Sequence, residues 1–266
     1  MNKDARSMSL DVEAHVVYRI ANTPIREFPF PHIFVPDVFP AAYYRELLGQ
    51  LPPDERLQTL QSLGRVTGNY AETRLVMPMT PKDLMGLDAP YRAFWEQLCS
   101  WLLGGRFGQF IVMKFAPYLR QRFPDLDQRG LSDEALIVRD YTKYSLGPHT
   151  DSPSKLLSLL FYLPADASME RLGTSIYTPK QPGFVCPGGP HHDFGLFRLM
   201  QTMPYVPNAL FAFMKTDNSF HGVEPITDEN VRRDLVLYDI RVELTEQRPR
   251  QAAAPAASAV KFTMQS

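Results

Sequence analysis

The segment GPHTDSPSKLLSLLFYLP, residues 147–164, carries a histidine and an aspartate two positions apart, His149 and Asp151, ahead of an apolar run that starts at Leu156. Side chains at i and i+2 of an extended segment face the same side, so this imidazole and this carboxylate can meet one cation. The chain has six histidines, and a third ligand is on offer at His221 in NSFHGVEPI, just after the apolar run NALFAFM. Two histidines and one carboxylate on a β scaffold make a facial set that leaves three positions open on iron. An HxD pair also arises by chance, and most lone histidines are surface or hydrogen-bonded core residues, so the triad needs a further feature to set it apart. His191 and His192, followed by Asp193, form a rival cluster. Adjacent residues of an extended chain point apart and chelate one ion poorly, so this pair reads as substrate contacts, or otherwise as surface residues.

The further feature is RRDLVLYDIRV, a strand headed by Arg232 and Arg233, eleven and twelve residues after His221. A buried arginine at a strand start can hold a carboxylate through two parallel hydrogen bonds. Here the sequence resembles the 2-oxoglutarate- and Fe(II)-dependent oxygenases, whose motif is HxD, a long gap, then a histidine and an arginine roughly ten residues on. The flanks are similar too: YTKYSLGPHTD to the family's tyrosine-containing approach to the first ligand, KLLSLLFYLP to its following strand, NSFHGVEPI to its second histidine segment. The resemblance covers about residues 135 to 245. It departs in the slightly long spacing from histidine to arginine, and in MERLGTSIYTP, which stands where the family has an acidic-Gly-Gly stretch.

The resemblance implies a double-stranded β-helix with His149, Asp151 and His221 as ligands of Fe(II). It implies 2-oxoglutarate and O2 as cosubstrates, ascorbate as an assisting reductant, and hydroxylation of a substrate with release of succinate and CO2. Tyr141 and Tyr144 become candidates to donate a hydrogen bond to the cosubstrate. Of the two arginines, Arg232 is in phase with Val236, Tyr238 and Ile240, an apolar face suited to a barrel interior. Tyr238 also stands six places after it, where family members commonly carry an aromatic residue. Arg232 is therefore the expected anchor of the distal carboxylate, with Arg233 the alternative. Asp151 argues against the halogenating branch, which resembles this pattern with a small residue there. Two other classes use the same ligands: a zinc-dependent hydrolase and a non-catalytic, cupin-like module binding a metabolite or sugar. The arginine-headed strand has no role in the first, and the second predicts no 2-oxoglutarate turnover. The substrate, a small molecule or a protein side chain, does not follow from the motif.

These residues need strands to position them. From Ala135 onward, ALIVRDY, KLLSLLFYLP, GTSIYTP, NALFAFM and RRDLVLYDIRVE are short runs of branched and aromatic residues separated by Gly, Pro, Asp and Asn, the texture of a β sandwich or barrel. The expected architecture is α+β: a jelly-roll or cupin-like core over 135–245, a helical and extended support over 1–134, and a disordered Ala- and Pro-rich tail over 246–266. In the support, residues 28–39 read as an extended or edge strand. Helices are expected from Pro40, across APYRAFWEQLCSWLL, and from Phe107 to Arg122. The stretch from Pro179 to Pro207, with Gly183, Gly188 and Gly189 beside Phe184, His191, His192 and Phe194, reads as a lid over the site. A chain of 266 residues with 44% hydrophobic and 21% charged residues can bury a sizeable core. A net charge of −1 indicates no nucleic acid or anionic membrane as partner, and no apolar run is long enough to span a bilayer. The start, MNKDARSMSLDVEAH, lacks the apolar stretch of a secretory leader. Two cysteines, Cys99 and Cys186, suit a reducing compartment, so cytoplasm is the expected location; the oligomeric state stays open.

Overall fold

The structure, a computed structural model, describes residues 3–66, 72–244 and 261–262. Helices dominate the first half: α1 (Lys3–Ala21), α2 (Ala41–Gly49), α3 (Pro81–Met85), α4 (Ala89–Leu102) and α5 (Arg106–Arg122). Each long helix buries a row at helical spacing. In α5 that row is Phe107, Ile111, Phe115 and Leu119, and in α4 it is Phe94, Leu98 and Leu102. Helix α1 was not expected from the sequence, although Val12, Val16 and Ile20 repeat at spacing four and are buried. Among the described residues, no helix is long and apolar enough to cross a membrane.

The strands are β1 (His32–Val35), β2 (Gln58–Thr59), β3 (Arg74–Pro78), β4 (Leu131–Tyr141), β5 (Leu146–His149), β6 (Lys155–Tyr162), β7 (Ser175–Pro179), β8 (Phe197–Thr202), β9 (Ala209–Met214), β10 (His221–Val223), β11 (Arg232–Val242) and β12 (Lys261–Phe262). A major sheet runs β1-β9-β6-β11-β4-β3-β2, with β12 paired to β4, and a minor sheet runs β5-β10-β7-β8. From β4 to β11 the chain passes repeatedly between the sheets, and every pairing is antiparallel. That winding is the double-stranded β-helix, or jelly roll. Strand β1 ends the major sheet and pairs along β9, with a lone bridge from His32 to Arg26 on its other side. Strands β1, β2 and β3 extend the major sheet from the N-terminal region. The expected tail falls outside the described residues, except that Lys261 and Phe262 pair with Ser132 and Leu131.

Alternation, broken in β6 at Leu156, divides the core in two. One parity of the major sheet, including Ile137, Leu159, Phe161, Ala212, Val236, Tyr238 and Ile240, packs with the helices. The other parity, including Leu136, Val138, Tyr162, Phe211, Phe213 and Leu235, faces the minor sheet and lines the barrel. Each buried aliphatic or aromatic side chain contributes roughly 1.5–3 kcal/mol, so the helices are a structural necessity: they cover a sheet face that water would otherwise reach.

Candidate metal centre and its cavity

Strand β5 ends at His149 and β10 begins at His221, and these two residues are direct cross-strand partners. Their rings lie 4.3 Å apart, centroid to centroid. The approach depends on Gly222, where a Cβ would sit 2.3 Å from the carbonyl oxygen of Leu146. Asp151 follows two residues after the end of β5. One donor atom from each of His149, Asp151 and His221 lies within 4.8 Å of the others, the dimension of a single-ion site. Nδ1 of His149 is 3.0 Å from the Gly147 carbonyl and Nδ1 of His221 is 2.9 Å from the Ser219 carbonyl. A carbonyl only accepts, so each Nδ1 carries the proton and each Nε2 presents a lone pair.

The Asp151 carboxylate is held from the protein side. Lys155 Nζ donates to Oδ1 at 3.1 Å and Ser158 Oγ donates to Oδ2 at 2.9 Å. Residues three apart normally face opposite sides of a strand. The register shift around Leu156, with Arg241 opposite Lys155 but Ile240 opposite Leu157, puts Lys155 on the same face as Ser158. Lys155 also pairs with Asp239 at 2.9 Å. Burial opposes ionisation of Asp151, but Lys155, His221 and His149 outweigh it and hold the carboxyl below its usual range. Burial pushes both imidazoles down, His149 furthest, helped by its neighbour His221. Two neutral imidazoles and an ionised carboxylate are the protonation states a divalent metal needs.

The triad opens into a cavity of about 1500 Å3 between the sheets. At one end lies Arg233, fully buried. Its Nε donates to the Leu172 carbonyl and its Nη1 to Asp140 Oδ2, both at 2.6 Å. Arg74 of β3 grips the same Asp140 with two hydrogen bonds, at 2.6 and 2.9 Å. Two guanidinium groups thus share one buried carboxylate, which leaves this end cationic. Arg233 Nη2 and Thr174 Oγ1 are both buried, both belong to cavity-lining residues, and neither has a hydrogen-bond partner. Spare donors beside a surplus positive charge fit a carboxylate.

Several sequence expectations are corrected by this placement. Arg232 points out of the barrel: its side chain is 48% exposed and its Nε donates to Asp234, whereas Arg233 is in the cavity wall. The apolar parity that pointed to Arg232 faces the helices, and the barrel parity is the one carrying Arg233, Asp239 and Arg241. Tyr141 pairs in register with Arg232 and donates its hydroxyl to Asp54, away from the triad. Tyr144 is buried with Leu172, Val223 and Ile226 beneath the Arg74 guanidinium, and does not line the cavity. His191 is exposed, with its ring 4.7 Å from that of His149. His192 packs among Phe184, Phe197 and Phe220. The stretch 179–207 is not a bare loop, since it contains β8 paired along β7. Sequence reasoning missed Lys155, Ser158, Asp239, Arg74, Asp140 and Thr174. For Lys155 and Ser158 the irregularity at Leu156 hid the signal; for Asp239 it was the inverted reading of the β11 faces.

No family model matches the sequence, and no curated protein matches it. Solved structures do resemble it. A prolyl hydroxylase from Trichoplax adhaerens, in complex with a hypoxia inducible factor oxygen degradation domain peptide fragment, is 10% identical with a TM-score of 0.48, covering 91% of this chain and 94% of that one. An oxidoreductase of the 2OG-Fe(II) oxygenase family from Burkholderia pseudomallei is 11% identical with a TM-score of 0.45, covering 86% and 89%. A Pseudomonas putida prolyl-4-hydroxylase is 15% identical with a TM-score of 0.45, covering 86% and 98%. At these identities they assign no role to any residue of this chain.

Proposed function

We propose that this protein is a 2-oxoglutarate- and Fe(II)-dependent oxygenase that hydroxylates its substrate. The observation that carries this reading is the pairing, in one cavity, of the His149–Asp151–His221 triad with Arg233, whose buried Nη2 has no partner. The chemistry of a hydrolytic zinc centre does not itself require such a carboxylate receptor, whereas 2-oxoglutarate does. In this reading His149 and His221 hold the metal through Nε2 and Asp151 through a carboxylate oxygen, leaving open positions for cosubstrate and oxygen. Arg233 and Thr174 take the distal carboxylate of 2-oxoglutarate, and Asp140 with Arg74 fixes the Arg233 fork. When bound, Fe(II) and 2-oxoglutarate supply the oxidation: O2, cosubstrate and substrate C–H become succinate, CO2 and substrate alcohol. The chain's own contribution is orientation, charge pairing and exclusion of water. Lys155 and Ser158 fix the plane of the Asp151 carboxylate, and Leu136, Leu160, Leu237 and Phe213 give the cavity part of an apolar lining.

The test is 2-oxoglutarate binding by the metal-loaded protein under anaerobic conditions, followed by succinate release in air across a library of amino acids, sugars and peptides. Binding that requires both metal and Arg233 is expected, with succinate formed on Fe(II) and not on Zn(II). A protein that takes Fe(II) but shows no calorimetric binding of 2-oxoglutarate would sink the proposal.

A further inference from the structure

The end of the cavity opposite Arg233 is built differently. Glu134, Ser158, Asp239 and Arg241 project into it from β4, β6 and β11, with Lys155 at the start of β6. They form a chain of alternating charge. Arg65 donates to Glu134 Oε2 at 3.0 Å, Arg241 donates to Glu134 Oε1 at 3.0 and 3.2 Å, Arg241 lies 3.7 Å from Asp239, and Lys155 joins Asp239 to Asp151. Each cation here has a carboxylate on at least one side, and both oxygens of Glu134 are engaged. One atom is left over. Asp239 Oδ1 is buried, belongs to a cavity-lining residue, and has no hydrogen-bond partner. The two ends therefore have opposite appetites: the Arg233 end has spare donors, and the Asp239 end has a spare acceptor. The spare acceptor is also close to the metal ligands, because the same ammonium group touches Asp239 at 2.9 Å and Asp151 at 3.1 Å.

We infer that Asp239 is the substrate-recognition residue, and that the substrate is a molecule presenting a hydrogen-bond donor, an amine or a hydroxyl, to Asp239 Oδ1. This rests on the oxygenase reading for the word substrate, but the ligand chemistry follows from the cavity alone. With Asp239 ionised against the Lys155 ammonium, a carboxylate-bearing ligand is disfavoured at this end, since an acceptor facing an acceptor leaves both unsatisfied. A purely apolar ligand is disfavoured too, because it leaves the buried Asp239 Oδ1 without a hydrogen bond. A donor satisfies the atom and holds the neighbouring carbon of the ligand beside the triad. The position is specificity-determining because it acts on the ligand without itself ligating the metal.

The test uses three probes of matched shape, benzylamine, benzyl alcohol and phenylacetate, with the full-length protein saturated with 2-oxoglutarate. Saturation-transfer NMR reads binding to the protein, and proton relaxation by Mn(II) at the triad reads closeness to the metal. Benzylamine or benzyl alcohol should bind and relax, with phenylacetate weaker by roughly tenfold, the worth of one charge-assisted hydrogen bond. In Asp239→Asn the amine should lose that advantage while the alcohol keeps part of its binding if a neutral acceptor suffices; in Asp239→Leu both should lose it. A cooperative thermal transition and unchanged Mn(II) affinity establish that each variant is folded. Equal binding of the three probes, or amine and alcohol binding that survives in Asp239→Leu, overturns the inference. If 2-oxoglutarate fails to bind the wild type, the oxygenase reading falls by itself, and the loss or survival of amine and alcohol binding in Asp239→Leu, measured without it, still decides the role of Asp239.

Discussion

Two adjacent arginines with opposite fates show what strand parity does at the scale of single residues. Arg233 is fully buried against Asp140 and the Leu172 carbonyl, and Arg232 is half exposed beside Asp234. If Arg233 anchors a carboxylate, Arg233→Ala leaves that group unpaired at a cost of about 3–5 kcal/mol. The apparent KM for 2-oxoglutarate should then rise by about two to nearly four orders of magnitude, while Arg232→Ala moves it by less than about twofold. Steady-state kinetics with both variants checks this, and a larger effect at Arg232 would reverse the assignment. The triad that the fold brings together was legible because its signal is local: HxD is a two-residue spacing, and His221 stands out in a chain with six histidines. The placement of the two arginines was misread because an apolar face was equated with the barrel interior. In this molecule the interior of β11 carries Arg233, Asp239 and Arg241, the groups a polar site needs, and the apolar face of the same strand lies under helices.

At the scale of elements, legibility followed periodicity and failed at irregularity. Helices α2, α4 and α5 were readable from spacing-four rows, and α1 carries the same signal in Val12, Val16 and Ile20. Strand β8 was hidden because four of its six residues, Arg198 to Gln201, are exposed, so no alternation marks it as half buried. Strand β10 is only three residues long, yet it delivers His221, and its fit against β5 rests on Gly222. Gly222→Ala would place a methyl group 2.3 Å from the Leu146 oxygen, so the backbones must separate. Displaced ligands lose metal affinity, and a drop of about 10- to 100-fold in Co(II) binding is expected. The helix-packed core does not include this contact, so a cooperative unfolding transition should remain. Unchanged Co(II) affinity in the variant would mean that β10 can shift without carrying His221 away.

For the molecule as a whole, the major sheet is a septum between two environments, and the polar residues on each side serve different ends. Those facing the minor sheet surround the triad. On the helix side, the carboxyl of Asp133 is buried and accepts a hydrogen bond from Tyr238 at 2.7 Å, while Tyr238 packs edge-on against Phe107 of α5. Burial raises the Asp133 pKa from 3.8 to about 6, against the opposing pull of the Tyr238 hydroxyl. The sign follows from proton counting. Between these two pH values the folded chain holds a proton that the unfolded chain has lost, so stability is greatest below pH 4 for this group and falls as pH rises through 6. Above that, the folded protein carries a buried charge with one oxygen, Oδ1, unpartnered. Asp133→Asn keeps the acceptor for Tyr238 and removes the charge. The variant should therefore be more stable than the parent at pH 7.5, by up to about 3 kcal/mol given that displacement. The advantage should shrink steadily between pH 6 and 4, where the parent carboxyl becomes neutral too. Urea midpoints of both proteins across that range measure it directly. A difference that stays constant with pH would mean the substitution acts through packing under α5 and not through the buried charge.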